Sequence, residues 1–166
     1  MSFEKSENPS GAGLVLDSQT KARGYVHGFD AAEQDRLVSQ SRFLAPWIFR
    51  NIDFKAAHSI LEIGCGVGAQ LKILSEIYPQ ARLSGVDISE QQLRRAREIL
   101  APEIAQGRVE LKLAAGDRLP YSDQSQDGVF VCWVLEHVQN PVLILKEARR
   151  VLKPGGRLWI TEVFNS

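Results

Sequence analysis

Glycines and acidic side chains follow two apolar runs of this sequence. Glu62 begins the stretch EIGCGVG, in which Gly64, Gly66 and Gly68 occupy every second position. Asp87 follows the next apolar run, 23 residues after Gly64. Glycines at this spacing let a backbone come close to a ligand, and a carboxylate accepts hydrogen bonds from hydroxyl groups. The pattern predicts a ligand-binding loop supported by acidic residues.

Two nucleotide-binding loops share part of this pattern. A phosphate-binding loop needs Lys and then Ser or Thr after its last glycine, but Ala69 and Gln70 stand there. A dinucleotide-binding loop needs G-x-G-x-x-G or G-x-G-x-x-A, and Gly64, Gly66 and Ala69 satisfy the second form, with Asp87 as its acidic residue. Because a single match of this kind is weak, a nicotinamide-dependent oxidoreductase stays open as an alternative.

The segments that must position these residues alternate between strand and helix. Apolar periodicity, capping residues and prolines predict a helix from Asp30 to about Ile48 that Pro46 ends or kinks, strand 59–63, helix 69–78, strand 82–86, helix 89–100, strand 108–114, strand 128–134, helix 141–152, a turn over 152–156 and strand 157–163. In the last helix, Leu145, Ala148 and Leu152 are expected to face inward.

This order predicts an α/β fold, a Rossmann-like doubly wound parallel sheet with helices on both faces. Ligands of such sheets bind at the carboxyl ends of the strands, near the point where strand order reverses. Glu62, the glycine loop and Asp87 are predicted to meet there.

Composition limits the function further. The chain has 166 residues, which suits one domain, and it carries 20 Lys plus Arg against 20 Asp plus Glu. A neutral balance argues against a general nucleic-acid binder. No apolar run of about 18 residues and no signal peptide are present, so no membrane span is expected. Cys65 and Cys132 form no metal-binding spacing, which suits a cytoplasmic protein without a metal site.

Four motifs in this order resemble one family. They are EIGCGVG (62–68), GVDIS (85–89), GDRLPYSDQSQDGVFVCWVLEHV (116–138) and LKPGGRLWITE (152–162). Together they resemble the class I S-adenosylmethionine-dependent methyltransferases, nearest to the small-molecule enzymes similar to those of ubiquinone and menaquinone biosynthesis. The implied reaction is methyl transfer to a small-molecule acceptor, with S-adenosylhomocysteine as product.

The resemblance also implies which residues bind the cofactor. They are Glu62, Gly64, Cys65, Gly66, Gly68, Asp87, Ile88, Asp117, Arg118, Cys132 and Trp133. In this assignment Glu62 interacts with the ammonium end and Asp87 with both ribose hydroxyls. Ile88 packs on the adenine, and Asp117 accepts from the adenine amino group near the backbone of Arg118.

His137 is the candidate catalytic residue. It follows the fourth strand and would act as a general base if the acceptor must lose a proton. The alternative is a structural histidine that hydrogen-bonds the next segment. A non-catalytic cofactor-binding module, active only with a partner, is a further alternative for the whole chain.

The sequence departs from the family in its length. The family usually has seven strands, whereas this sequence stops after the fifth, so we expect a truncated sheet in a fragment of a longer enzyme. Residues 1–29 are expected to form a flexible leader and part of a lid, and 30–166 the cofactor-binding domain. Strand 157–163 would then be an unpaired edge, which predicts pairing with another chain, for example in a homodimer.

Overall fold

The structure is a computed structural model that describes residues 31–162. The elements are α1 (Ala31–Ile48), β1 (Ser59–Ile63), α2 (Ala69–Ile77), β2 (Arg82–Asp87), α3 (Glu90–Ile99), α4 (Ala101–Ala105), β3 (Val109–Leu113), β4 (Gln126–Cys132), α5 (Pro141–Val151) and β5 (Leu152–Thr161). A single 3-10 turn, Leu135–His137, lies between β4 and α5. The predicted leader and lid, the capping residue Asp30 and the end of the last strand at Val163 lie outside the described residues.

The strands form one parallel sheet. Their order is β3-β2-β1-β4-β5, and every neighbouring pair is parallel. The chain moves outward from β1 to β3 and then returns to the other side of β1 as β4. Strand order therefore reverses between β1 and β4, and the predicted doubly wound α/β fold is confirmed.

Two apolar cores cover the two faces of the sheet. On one face, α1 to α4 pack through residues such as Leu71, Leu74 and Leu100, each with no exposed surface. On the other face, α5 packs through Ile144, Ala148 and Val151. Burying one such Leu side chain stabilises the fold by about 1.5–3 kcal/mol. Because helices leave the sheet on opposite faces at β1 and β4, a cleft opens between these two strands at their carboxyl ends.

The inward face of α5 differs from its prediction. Leu145 and Leu152 were expected to face inward with Ala148, but Ile144 and Val151 are the residues buried with it. Leu145 is half-buried, and Leu152 is the first residue of β5. The helix ends one residue earlier than predicted. Ala148 is buried as predicted, and the other two buried residues each lie one position before the predicted ones.

The bounds of β4 and of the PGG turn also differ. An apolar run predicts a strand over 128–134, but Trp133 has a left-handed backbone with φ 56°, which a strand cannot continue. The predicted turn LKPGG lies inside β5. Leu152 pairs with Gln126, and Arg157 pairs with Gly128, so residues 153–156 bulge out opposite a single residue of β4.

Asp127 fastens this bulge to the start of β1. Its Oδ2 accepts hydrogen bonds from the amides of His58 and Ser59 and from the Ser59 hydroxyl, each at 2.9 Å. Lys153 Nζ donates to Oδ1 at 2.7 Å. Burial acts to raise the pKa of Asp127, but the bonds from Lys153, Ser59 and the two amides outweigh it and lower the pKa to about 2. The ionised carboxylate is therefore the form that stabilises the fold.

The described residues contain neither a membrane-spanning helix nor a metal-binding cluster. No helix between residues 31 and 162 is long and apolar enough to cross a membrane. Over the same residues, no cluster of His, Cys, Asp or Glu is arranged to hold a metal ion.

We predict that Asp127→Ala lowers the free energy of unfolding by about 2 kcal/mol at pH 7, since it removes bonds to a charged group. The folded pKa is about 2 and the unfolded value near 3.8, so the stabilisation is complete above pH 4 and is lost as the pH falls towards 2. Urea unfolding followed by circular dichroism at several pH values measures this difference.

The matched control is Asp53→Ala, which removes an exposed carboxylate paired with Arg157 and should change stability little. A difference between wild type and Asp127→Ala that stays constant from pH 7 to pH 3 would contradict the assignment of this stability to the ionised carboxylate.

Candidate functional site

A cavity of about 760 Å³ lies at the carboxyl ends of the strands, where strand order reverses. This is the position that the fold predicts for a ligand, and the volume suits a small molecule. Nine predicted site residues line it: Gly64, Cys65, Gly66, Asp87, Ile88, Asp117, Cys132, Trp133 and His137. Three others, Glu62, Gly68 and Arg118, do not line it.

The amides of the glycine loop are largely occupied by the protein itself. Gly64 and Cys65 donate to the carbonyl oxygen of Val86 at 2.8 and 2.9 Å. Gly66 donates to Oδ2 of Asp87 at 2.8 Å. Gly68 donates to the carbonyl oxygen of Cys65 at 2.8 Å. Since a phosphate cradle depends on free amides, this loop is poorly suited to bind a phosphate.

The first and last glycines of the loop are needed for packing. Gly68 precedes α2 with φ 77°, and a Cβ there would lie 2.8 Å from Cδ1 of Leu100 and 3.1 Å from Cβ of Ala96. A Cβ at Gly64, where φ is 73°, would overlap Cγ2 of Val134. Gly68 therefore lets the loop pack against α3, and Gly64 lets it pack against the segment that follows β4.

Asp87 joins the glycine loop to the start of α3. Its Oδ1 accepts the amide hydrogen of Ser89 at 2.8 Å, while Oδ2 holds Gly66. Burial raises the pKa of Asp87, and the amides of Ser89, Gly66 and Ile88 offset part of that rise. Each carboxylate oxygen can accept more than one hydrogen bond, so both remain able to bind ligand hydroxyls.

Glu62 is buried in the sheet beside the cavity. Only 1% of the residue is exposed, and Oε2 has no hydrogen-bond partner among residues 31–162. Burial, and next the negative charge of Asp87, raise the pKa of Glu62 well above its usual value. An ionised carboxylate here lacks a cation, so the site favours a positively charged group nearby.

Two buried cysteines form part of the cavity wall. Gln70 Nε2 lies 3.9 Å from the sulfur of Cys132. Burial, with Glu62 as the next cause, raises the pKa of both the Cys65 and the Cys132 thiol. Both residues are therefore uncharged wall components at neutral pH, and neither is a reactive thiolate.

The loop after β3 supplies one wall of the cavity. Asp117 lines it and is exposed, but Arg118 does not, and its amide donates to the carbonyl of Ala115 at 3.1 Å within a turn. Glu147 Oε2 accepts the amide hydrogen of Leu119 at 2.8 Å and fixes the end of this loop to α5. Across the cavity, Ile88 is 74% exposed and offers an apolar surface.

The segment Trp133–His137 forms the opposite wall, and we call it the post-β4 segment. The side chains of Trp133 and His137 are half-buried at the cavity, and the imidazole Nε2 of His137 lies 3.5 Å from a carboxylate oxygen of Glu136. His137 also donates its amide to the carbonyl of Val134 at 3.0 Å, which closes the 3-10 turn. This hydrogen bond fixes the backbone that carries the imidazole, and His137 is part of the cavity wall.

Several lining residues were not predicted from the sequence as site residues. They are Arg36, Leu37, Gln40 and Ser41 of α1, Gln70 of α2, the 136–140 residues flanking His137, and Leu143 and Ile144 of α5. Ser41 is a polar residue within an apolar stripe of α1, and this was the one signal that the sequence offered. In the structure, Ser41 is 2% exposed. The other residues of α1, α2 and α5 cannot be recognised from spacing because they reach the cavity through helix packing, whereas 136–140 line it beside His137.

Comparison with known proteins agrees with this geometry. A family model described as a methyltransferase domain matches residues 61–160. An O-methyltransferase of Penicillium expansum, cnsE, is 35% identical over 163 residues, covering 93% of this chain and 59% of that protein. The ubiquinone/menaquinone biosynthesis C-methyltransferase UbiE of Syntrophotalea carbinolica is 34% identical over 113 residues, 68% of this chain and 47% of that protein.

Solved structures share the fold. A SAM-dependent methyltransferase from Aquifex aeolicus superposes with a TM-score of 0.68 at 23% identity, covering 80% of this chain and 72% of that one. This chain spans about half the length of the curated relatives it matches. Since the family model covers more than half of the 166 residues, this chain belongs to the S-adenosylmethionine-dependent methyltransferases.

Proposed function

We propose that this chain binds S-adenosylmethionine in the cavity between β1 and β4 and transfers its methyl group to a small-molecule acceptor. The observation that carries the proposal is the arrangement of the glycine loop and Asp87 around this cavity. When bound, the cofactor supplies an activated methyl group on a sulfonium, so the protein's contribution is to bind and align.

The charges of the site fit this cofactor. The buried Glu62, whose Oε2 has no hydrogen-bond partner within residues 31–162, can balance a cationic ligand end, directly or through water. The two oxygens of Asp87 can accept hydrogen bonds from a pair of ribose hydroxyls. Ile88 offers its exposed side chain to the adenine face, and Asp117 can accept from the adenine amino group. The other predicted lining residues form the wall of the cavity: Gly64, Cys65, Gly66, Cys132 and Trp133.

Two predicted cofactor residues keep an indirect role in this proposal. Gly68 acts by packing the loop on α3, and Arg118 acts through the turn that presents Asp117. Neither contacts the ligand itself.

A nicotinamide dinucleotide fits the site less well. Its pyrophosphate needs free amides, whereas those of Gly64, Cys65, Gly66 and Gly68 donate within the protein. The oxidoreductase alternative therefore has the glycine pattern in its favour but not the hydrogen bonding.

His137 is our candidate for a general base at the acceptor side. Its position at the cavity mouth lets it take a proton from an acceptor hydroxyl, with Glu136 near enough to stabilise the imidazolium that forms. If the acceptor needs no deprotonation, His137 is structural, as its hydrogen bond to Val134 allows.

The remaining assignments concern the setting of this activity. We propose that residues 30–166 act as the cofactor-binding domain of a cytoplasmic enzyme. A binding module without turnover is the second candidate for this chain.

We predict that Asp87→Ala weakens binding of S-adenosylhomocysteine about 100-fold, since two hydrogen bonds to a charged group and the tie to Gly66 are lost. Titration calorimetry with S-adenosylhomocysteine and, separately, NAD measures both affinities. Asp87→Asn keeps the size of the side chain and one acceptor oxygen, so it should show an intermediate affinity if loop geometry is preserved.

The control for this experiment is Asp53→Ala, a carboxylate at the opposite edge of the sheet, which should bind like wild type. Tighter binding of NAD than of S-adenosylhomocysteine would reject the proposal.

His137→Gln should bind S-adenosylhomocysteine normally and lower the transfer of a tritiated methyl group into a small-molecule extract. A protein that binds the cofactor but labels no acceptor would identify the binding module instead.

We predict that Glu62→Gln raises stability and that the gain grows with pH. Burial raises the folded pKa above the unfolded value near 4.5, so wild type loses stability as the pH rises from there towards the folded pKa. The gain increases by about 1.4 kcal/mol per pH unit in that range. Urea unfolding between pH 4 and pH 8 measures it, and a gain independent of pH would contradict the assignment.

We also propose that the outer edge of β5 pairs with a second copy of the chain. Among residues 31–162 no strand lies beyond β5, and Ile160 on it is 39% exposed. We predict a dimer that dissociates on dilution and is abolished by Ile160→Lys, measured by light scattering after gel filtration. The matched control is Ile77→Lys, another exposed Ile on α2, which should leave the dimer intact. A wild-type monomer at high concentration would exclude the pairing.

A further inference from the structure

Glu162, directly after β5, holds the backbone of the post-β4 segment. Its Oε1 accepts the amide hydrogens of Leu135 at 2.9 Å and Val134 at 3.1 Å. One residue earlier, the carbonyl of Thr161 accepts the amide hydrogen of Trp133 at 2.9 Å. Three successive amides of the segment are therefore fixed by the end of one neighbouring strand.

These bonds are needed because the segment leaves the sheet abruptly. Trp133 has φ 56°, a conformation that costs free energy in a residue other than glycine and persists only where its surroundings hold it. The amides that follow open a 3-10 turn and have no partner within that turn. A carboxylate at the start of such a turn accepts these hydrogen bonds and is favoured there by the backbone dipoles.

The segment carries the acceptor side of the cavity and also touches the cofactor side. Val134 packs so closely on Gly64 that any side chain at Gly64 would overlap it. Its carbonyl accepts the amide hydrogen of His137. Displacing the backbone of Val134 would therefore move the imidazole of His137 and one contact of the glycine loop together.

Within residues 31–162, both hydrogen bonds accepted by the Glu162 carboxylate come from this segment. Oε2 is buried and has no hydrogen-bond partner among residues 31–162. Burying a carboxylate oxygen without a hydrogen-bond partner costs free energy. We therefore attribute the buried position of this side chain to the two amides that donate to Oε1. Nothing in the sequence motif around Glu162 indicates this contact, because Val134 and Glu162 are 28 residues apart.

We propose that Glu162 is a positioning residue for the methyl-transfer site: it fixes the backbone of Val134 and Leu135 and thereby the place of His137 relative to the glycine loop. This inference rests on the proposed function for its effect on turnover, but not for its effect on the backbone.

Amide hydrogen exchange measured by NMR on the full chain tests the effect on the backbone directly. In Glu162→Ala, the amides of Val134 and Leu135 should exchange about tenfold faster or more, as expected when a hydrogen bond to a charged group is lost. Glu162→Gln keeps an acceptor oxygen at the same distance, so exchange should return to within about threefold of wild type. Methyl transfer should follow the same order, with kcat lowered about tenfold in Glu162→Ala and largely restored in Glu162→Gln.

The matched control is Glu147→Ala, which removes another carboxylate that holds a loop amide. It should speed exchange at Leu119 and leave Val134 and Leu135 unchanged, whereas Glu162→Ala should do the reverse. This comparison separates a local tie from a general loss of stability.

Unchanged exchange at Val134 and Leu135 in Glu162→Ala would overturn the inference, whatever the activity. If wild type transfers no methyl group to any acceptor, the proposed function fails, while amide exchange still decides whether Glu162 holds the segment.

Discussion

The carboxylate of Asp87 is the interaction on which the cofactor side of the cavity depends. One oxygen holds Gly66 at 2.8 Å and the other holds Ser89 at the same distance, so β1's loop and the entry to α3 share one anchor. The carbonyl of Val86, one residue earlier, holds two further amides of the loop. Strand β2 thus shapes the loop that follows β1, which is possible only because parallel strands end at the same edge of a sheet.

This way of shaping the loop also determines what it can bind. The amides of four loop residues already donate to the protein, namely Gly64, Cys65, Gly66 and Gly68, and the carboxylate of Asp87 lies at the loop. Among residues 31–162, no cationic side chain shifts the pKa of Asp87 or Glu62. A glycine-rich loop after a strand is therefore no sign of phosphate by itself. Here its own hydrogen bonding directs it towards a ligand with hydroxyl groups and positive charge.

The sequence predicted the parts of the site that local patterns encode and missed those that packing creates. The parallel sheet, the glycine loop and Asp87 follow from the alternation of strands and helices, from short motifs and from the rule for parallel sheets. Gly68 was predicted for closeness to the cofactor, but Leu100 and Ala96 show that it serves the packing of α3. The PGG turn became a bulge because its register depends on Asp127 and β4, which no local pattern contains.

Three carboxylates hold the backbone of the three loops that surround the cavity. Asp87 holds the glycine loop, Glu147 holds the loop after β3, and Glu162 holds the post-β4 segment, each through backbone amides. Apart from Gly64 and Gly68, a backbone fixed in this way depends little on the side chains of the loops themselves. Those side chains can then vary to suit different acceptors while the cofactor geometry stays the same. The relatives of this chain include an O-methyltransferase and a C-methyltransferase. A fixed backbone that carries variable side chains would permit both reactions on one fold.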